Sequence, residues 1–193
     1  MSTEDQTRSL VEASIQGNAQ AFGELYDQYV EKIYTFVFYK TSHKETAEDL
    51  TSKVFFKALK KIAQFDHEKG TFSSWLYKIA RNTVIDFYRQ NKKHSNIDDF
   101  WNLASEEIIE QYVDTRMDRE VLQKYMAELT SEQRDIVLLR TWQGMSHREI
   151  SEVLDKSEES CRMAYSRGLK KLREVMPEHL YTLFVLGLIK HFV

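Results

Sequence analysis

LTSEQRDIVLLRTWQGMSHREISEVLDKSEESCRMAYSRGLKKLRE, residues 129–174, carries three helical segments separated by two turns. Thr130 or Ser131 ahead of Glu132 and Gln133 marks a helix start, and the apolar spacing that follows predicts a helix from about Ser131 to Trp142. Gln143-Gly144-Met145 interrupts it. Ser146 followed by Glu149 has the spacing of a capping box and opens a short second helix. Asp155-Lys156 turns the chain again, and a last helix runs from Ser157 or Glu158 to about Val175. Ile150, Val153, Leu154, Cys161, Tyr165, Leu169 and Leu172 can close a small core between these helices. From 156 to 173, Lys156, Arg162, Arg167, Lys170, Lys171 and Arg173 stand against only Glu158 and Glu159. A short helix, a turn and a basic helix form a helix-turn-helix whose second helix can enter the major groove of duplex DNA; a purely structural bundle is the alternative.

Outward from this stretch, the composition stays helical. The 193 residues hold one proline and six glycines, and 42% of them are apolar, enough for packed cores with few punctuation points for strands. The fold class expected is all-α. One cysteine, Cys161, excludes an internal disulfide and a Cys-Cys-His-His zinc finger, and reads as a buried structural residue or a reactive thiol. His43, His67, His94, His147, His179 and His191 are scattered without metal-ligand spacing, so no metal and no cofactor are expected. MSTEDQTRSL lacks a basic region followed by an apolar one, so a signal peptide is not expected and a cytoplasmic location is. The closing YTLFVLGLIKHFV is too short to span a bilayer, which takes roughly 20 apolar residues, and Lys190 interrupts it. It can dock on its own domain, fill a groove of a partner protein or touch a membrane surface.

The formal net charge of −3 conceals three zones. Between 78 and 93, Lys78, Arg81, Arg89, Lys92 and Lys93 face Asp86 alone, and between 95 and 120 the sign reverses, with Asp98, Asp99, Glu106, Glu107, Glu110, Asp114, Asp118 and Glu120 against Arg116 and Arg119. The acidic zone also has weak apolar periodicity and reads as a linker, partly helical around 105–112. Two small helical domains joined by this acidic linker follow: 1–95, a linker at 96–117, the helix-turn-helix domain at 118–180, and the apolar tail at 181–193. In the first domain Phe22, Leu25, Tyr26, Tyr29, Ile33 and Phe36 recur at steps of three and four, as do Leu50, Val54, Phe55, Ala58, Leu59 and Ile62, and both sets are assigned mostly to the core. Glu48 and Asp49 are placed in the opening turn of the second of these helices, where the helix dipole favours anions. After QFDHEKGTFSS, with Ser73 or Ser74 as N-cap, a helix beginning near Trp75 aligns Trp75, Leu76, Ile79, Thr83 and Phe87 on one face and Lys78, Arg81, Asn82 and Arg89 on another. On its own this helix reads first as a solvated basic surface over ordinary buried aromatics, with a binding face as the alternative.

Taken together, AEDLTSKVFFKAL (47–59), FSSWLYKIARNTVIDFYR (72–89), LTSEQRDIVLLRTWQGMSHREISEVL and SRGLKKLR resemble, in order and spacing, the bacterial RNA polymerase sigma factors of the extracytoplasmic-function (ECF) subfamily, over roughly residues 20–176. Ser52-Lys53, where the family often has Gln and an acidic residue, and Ala164, where it often has Arg, depart from that pattern. The resemblance implies a non-enzymatic factor that binds core RNA polymerase and recognises the −35 and −10 promoter elements; a stand-alone helix-turn-helix regulator is the rival reading. It places the polymerase dock at Glu48, Asp49, Ser52, Lys53 and Phe56. It makes the loop Asp66, His67, Glu68, Lys69, Gly70 and Thr71, with Phe72, the pocket for a flipped −10 base, with Asn82 on another base and Lys78, Arg81 and Arg89 on the displaced strand. Trp75 is either core or wedge. The −35 duplex falls to Glu159, Ser160, Arg162, Met163, Ser166 and Arg167, with Lys170 and Lys171 on phosphates. An anti-sigma factor, able to hold the chain at the inner membrane, is the further partner implied. The chain has no G-x-x-x-x-G-K phosphate loop, so strand opening must draw on binding energy: stacking returns about 1–3 kcal/mol per base against a few kcal/mol to extract one.

Overall fold

A computed structural model of the chain describes residues 3–91 and 116–186, with side chains described over 4–90 and 121–186. The described residues are helical and fall into two compact units. The N-terminal unit contains α1 (Thr3–Ile15), α2 (Ala19–Thr41), α3 (Lys44–Lys61) and α4 (Phe72–Asn91), with 3-10 turns at Ile62–Gln64 and His67–Lys69 between α3 and α4. The C-terminal unit contains α5 (Arg116–Ala127), α6 (Ser131–Thr141), α7 (His147–Leu154), α8 (Glu158–Val175) and α9 (Glu178–Val185). Residues 92–115, with most of the linker and its suggested helix, and 187–193 lie outside the described residues, and the end expected for the linker at 117 is corrected, since Arg116 and Met117 already belong to α5.

In the N-terminal unit α2 packs against α1, α3 and α4, and α3 against α4. Leu25, Ile33 and Phe36 of α2, Leu50, Val54 and Ala58 of α3, and Leu76, Ala80 and Val84 of α4 are buried at their meeting. Asn18 caps α2 by accepting from the Gln20 and Ala21 N–H groups. α1, which the sequence reading did not identify, buries Val11 and Ser14. Three other expectations are corrected. α3 begins at Lys44, capped by the ring nitrogen of His43, so the opening-turn anion is Glu45 and not Glu48 or Asp49. α4 begins at Phe72, because the Thr71 hydroxyl, not Ser73 or Ser74, accepts from the Ser74 N–H at 3.1 Å. Tyr26 and Leu59, assigned to the core, are 41% and 49% exposed.

In the C-terminal unit two helix starts are closed reciprocally: Thr130 with Gln133 at α6 and Ser146 with Glu149 at α7. Arg134, 3% exposed, donates from Nε to Met126 O at 2.8 Å and from Nη2 to Leu129 O at 2.9 Å, satisfying carbonyls at the end of α5. α8 crosses α6 closely at Gly168, where an added Cβ would meet Val137 Cγ2 at 2.9 Å. α9 follows Pro177 and buries Phe184 edge-on against Trp142 at 5.9 Å, while Leu183, Val185 and Leu186 stay exposed.

Candidate nucleic-acid and polymerase interfaces

The loop ahead of α4 is built on an aromatic floor. Phe65 meets His67 at 4.7 Å, Trp75 at 5.4 Å and Phe72 at 5.9 Å between ring centroids. Phe72 is 4% exposed, so it supports the loop from beneath and does not face solvent. Trp75, half-buried in the same cluster, is largely committed to it. Asp66 caps the 3-10 turn by accepting from the Glu68 N–H at 3.0 Å and lies 2.9 Å from the Lys69 ammonium. Lys69 and then the Glu68 N–H hold the Asp66 carboxyl below the usual carboxylate range. Gly70 closes the turn at φ 149°, a region open essentially to glycine. His67 keeps Nε2 enclosed, with no hydrogen-bond partner among the described residues. Along α4, Lys78, Asn82 and Arg89 recur at helical spacing on one side; Asn82 and Arg89 are exposed, Lys78 and Arg81 half-buried.

On α3, Glu48, Asp49, Ser52, Lys53 and Phe56 are all exposed. Phe56, 58% exposed, has the Lys60 ammonium 4.2 Å over its ring. Leu59, one turn further along α3, and Tyr26 of α2, whose ring packs edge-on against Phe55 at 4.7 Å, add exposed apolar surface from residues that the sequence assigned to the core. A large apolar side chain in a periodic stripe is the only signal for either residue, and that signal equally describes core.

On α8, Glu159, Arg162, Met163, Ser166, Arg167 and Lys170 are exposed, Met163 by 47%, and Ser160 is half-buried in the first turn. Arg162 Nη2 donates to Glu158 at 2.9 Å, and Lys171, half-buried, lies 3.7 Å from Glu128. Cys161 faces the core fully buried, and burial pushes its thiol up. The Tyr165 hydroxyl shares a hydrogen bond with Thr141 of α6, and its ring meets His147 edge-on at 5.6 Å. His147, which sequence reasoning passed over as one of several scattered histidines, thus joins α7 to α8. Among the described residues no group of three His, Cys, Asp or Glu could hold a metal ion, and no helix is long and apolar enough to cross a membrane.

Burial first, then Arg140 and Arg162, lower the His147 pKa below 6.5, with Glu158 opposing. Folding therefore favours neutral imidazole. The resulting stability is full above about pH 6.5 and is lost as pH falls through the lowered value in the folded chain. Thermal melts of the chain between pH 7.5 and 5 should show the C-terminal unit losing stability, and His147→Phe should flatten that slope. An unchanged slope in the variant would assign the loss elsewhere.

The basic-aromatic helix α4 of one unit and the helix-turn-helix of the other each fall within a stretch that matches a known family. The Sigma-70 region 2 family matches residues 25–94 and the Sigma-70 region 4 family residues 119–172, and the chain belongs to the sigma-70 family. Within that family it is an ECF RNA polymerase sigma factor, a class that recognises promoters for the polymerase. It is 33% identical over 172 residues to the ECF sigma factor BldN of Streptomyces coelicolor, which covers 88% of this chain and 65% of that protein, so the chain spans just under two thirds of BldN. It is 30% identical over 161 residues to the sigma factor YlaC of Bacillus subtilis, covering 79% of this chain and 90% of YlaC. CnrH, solved in complex with the cytosolic domain of CnrY, has the same fold at 20% identity and a TM-score of 0.71, covering 88% of this chain and 96% of CnrH. So does the sigma factor RpoE in complex with the anti-sigma factor NepR from Bartonella quintana, at 21% identity and a TM-score of 0.63, covering 81% of this chain and 96% of RpoE.

Proposed function

We propose that the two units divide promoter recognition. The N-terminal unit docks core polymerase through α3 and Tyr26, and uses α4 with the 66–71 loop to take a flipped −10 base and hold the displaced strand. The C-terminal unit reads the −35 duplex through the exposed face of α8. The observation that carries this reading is the pair of exposed polar and basic faces, one per unit: Asn82 and Arg89 on α4, and Arg162, Ser166 and Arg167 on α8. A regulator that reads one duplex site with one helix-turn-helix would leave the first face without a task. The acidic linker, in this reading, follows the basic channel that polymerase offers to RNA. The chain has no catalytic role of its own. It works in the cytoplasm, free or held at the inner membrane by an anti-sigma factor; the RpoE–NepR complex supports such a partner.

Binding to core polymerase tests the docking half. Asp49→Arg combined with Lys53→Glu reverses two exposed charges on α3 without touching a buried residue. The double variant should fold normally and bind core at least roughly tenfold more weakly, a loss in the range of charge-pair couplings at interfaces. Wild-type affinity in a folded double variant would remove α3 as the dock. Absence of any core binding by the wild-type chain would favour the stand-alone regulator.

A further inference from the structure

Asp86 is the only carboxylate on α4, and it stands one turn from Asn82 and one turn from Arg89. At those separations side chains are neighbours on a helix surface. Any phosphate or strand held there lies within a Debye length, about 8–10 Å, of that carboxylate. An acidic group set into a nucleic-acid face repels the strand and competes for the arginine beside it.

Lys57 of α3 reaches this carboxylate. Its Nζ lies 3.6 Å from Asp86 Oδ2, and it also donates to Thr83 Oγ1 at 3.1 Å. Thr83 is 3% exposed, and its hydroxyl donates to the Ile79 carbonyl at 2.8 Å, so the oxygen that receives Lys57 is fixed within the seam between α3 and α4. A flexible lysine is thereby aimed by a buried anchor at one carboxylate. The pair itself is 40% and 51% exposed, and exposed pairs contribute little to stability. Its consequence is local charge.

We propose that Lys57 is a positioning residue for −10 recognition: anchored on Thr83, it neutralises Asp86 and keeps the α4 face available to the single strand. The inference rests on the reading of α4 as the −10 face. It separates Lys57 from its neighbours on α3, because Lys57 acts through α4 and not on polymerase.

The experiment uses holoenzyme assembled from core and each full-length variant, with binding to a fork-junction DNA carrying a single-stranded −10 element measured across a salt series. Core affinity is titrated separately, so that a docking defect is recognised. Lys57→Ala should weaken strand binding by about fivefold at low salt, with the loss shrinking as salt is added. Asp86→Asn should bind as well as wild type or better. The double Lys57→Ala, Asp86→Asn variant should return to within roughly twofold of wild type, because no carboxylate remains to be masked. A double variant as weak as Lys57→Ala would mean that the lysine acts through packing or through Thr83, and would overturn the inference, as would full strand binding by Lys57→Ala. Asn82→Ala serves as the reference: if it loses no −10 affinity, the reading of α4 falls and this inference with it, whereas a loss there without rescue in the double variant defeats the inference alone.

Discussion

Replacing Arg134 by alanine should unfold the C-terminal unit at temperatures where the N-terminal unit remains intact. The guanidinium is buried, and two of its donors satisfy the Met126 and Leu129 carbonyls. An orphaned buried polar group costs about 1–3 kcal/mol, and a truncated arginine stem adds a void. A total of roughly 3–5 kcal/mol is a large part of the stability of so small a unit. Calorimetry of the full chain should show the C-terminal transition falling by roughly 10 °C or more with the N-terminal one in place. Arg134→Met keeps the stem and removes the donors, so it separates hydrogen bonding from packing. Wild-type melting in both variants would show that the carbonyls find other partners and that Arg134 is not the clamp on α5.

The structure also shows which parts of this fold are written locally and which are not. The helix-turn-helix was legible to within a residue because its boundaries are set by adjacent side chains: Ser146 and Glu149 close one helix start, and Ser157 caps the next. α4 was misplaced by three residues because Thr71, Ser73 and Ser74, three cap-forming residues, fall within four positions, and only the backbone path decides which hydroxyl meets an N–H. α3 was misplaced because its cap is an imidazole, a type outside the usual set. Tyr26 and Leu59 escaped because periodicity assigns a side chain to a face but says nothing of how far the neighbouring helix extends over it. Arg134 reads in sequence as an ordinary charged position within a helical stretch, yet it is one of the most buried polar residues. Lys57 and Thr83 lie 26 positions apart, and no local pattern announces a contact between two helices.

The proposed division of labour between the two units makes the sharpest functional demand. Arg162 is exposed in the second turn of α8, on the face that can enter the major groove, and its present partner Glu158 is an exposed neighbour that it can leave. A side chain that reads a base edge well is worth about 1–3 kcal/mol of discrimination, so Arg162→Ala should weaken binding to the best −35 sequence by that amount and relax preference at that position. Lys170, further along the same helix and exposed, should behave differently: Lys170→Ala should weaken all sequences alike and lower the salt dependence. Phosphate contacts position, whereas base contacts select. In the other unit, Asp66→Ala removes both the cap of the 3-10 turn and the partner of Lys69, and Asn82→Ala removes an exposed amide from α4. Both should change −10 preference and strand opening while leaving −35 preference as it was, with opening reduced by about tenfold or more because base extraction costs a few kcal/mol that the loop must return. Permanganate footprinting reports the opened strand, and transcription from promoters mutated separately at each element reports the two preferences. Should Asp66→Ala shift −35 preference, or leave both opening and −10 preference untouched, the loop is not the −10 reader, and duplex binding by the helix-turn-helix would remain as the only recognition that the geometry supports.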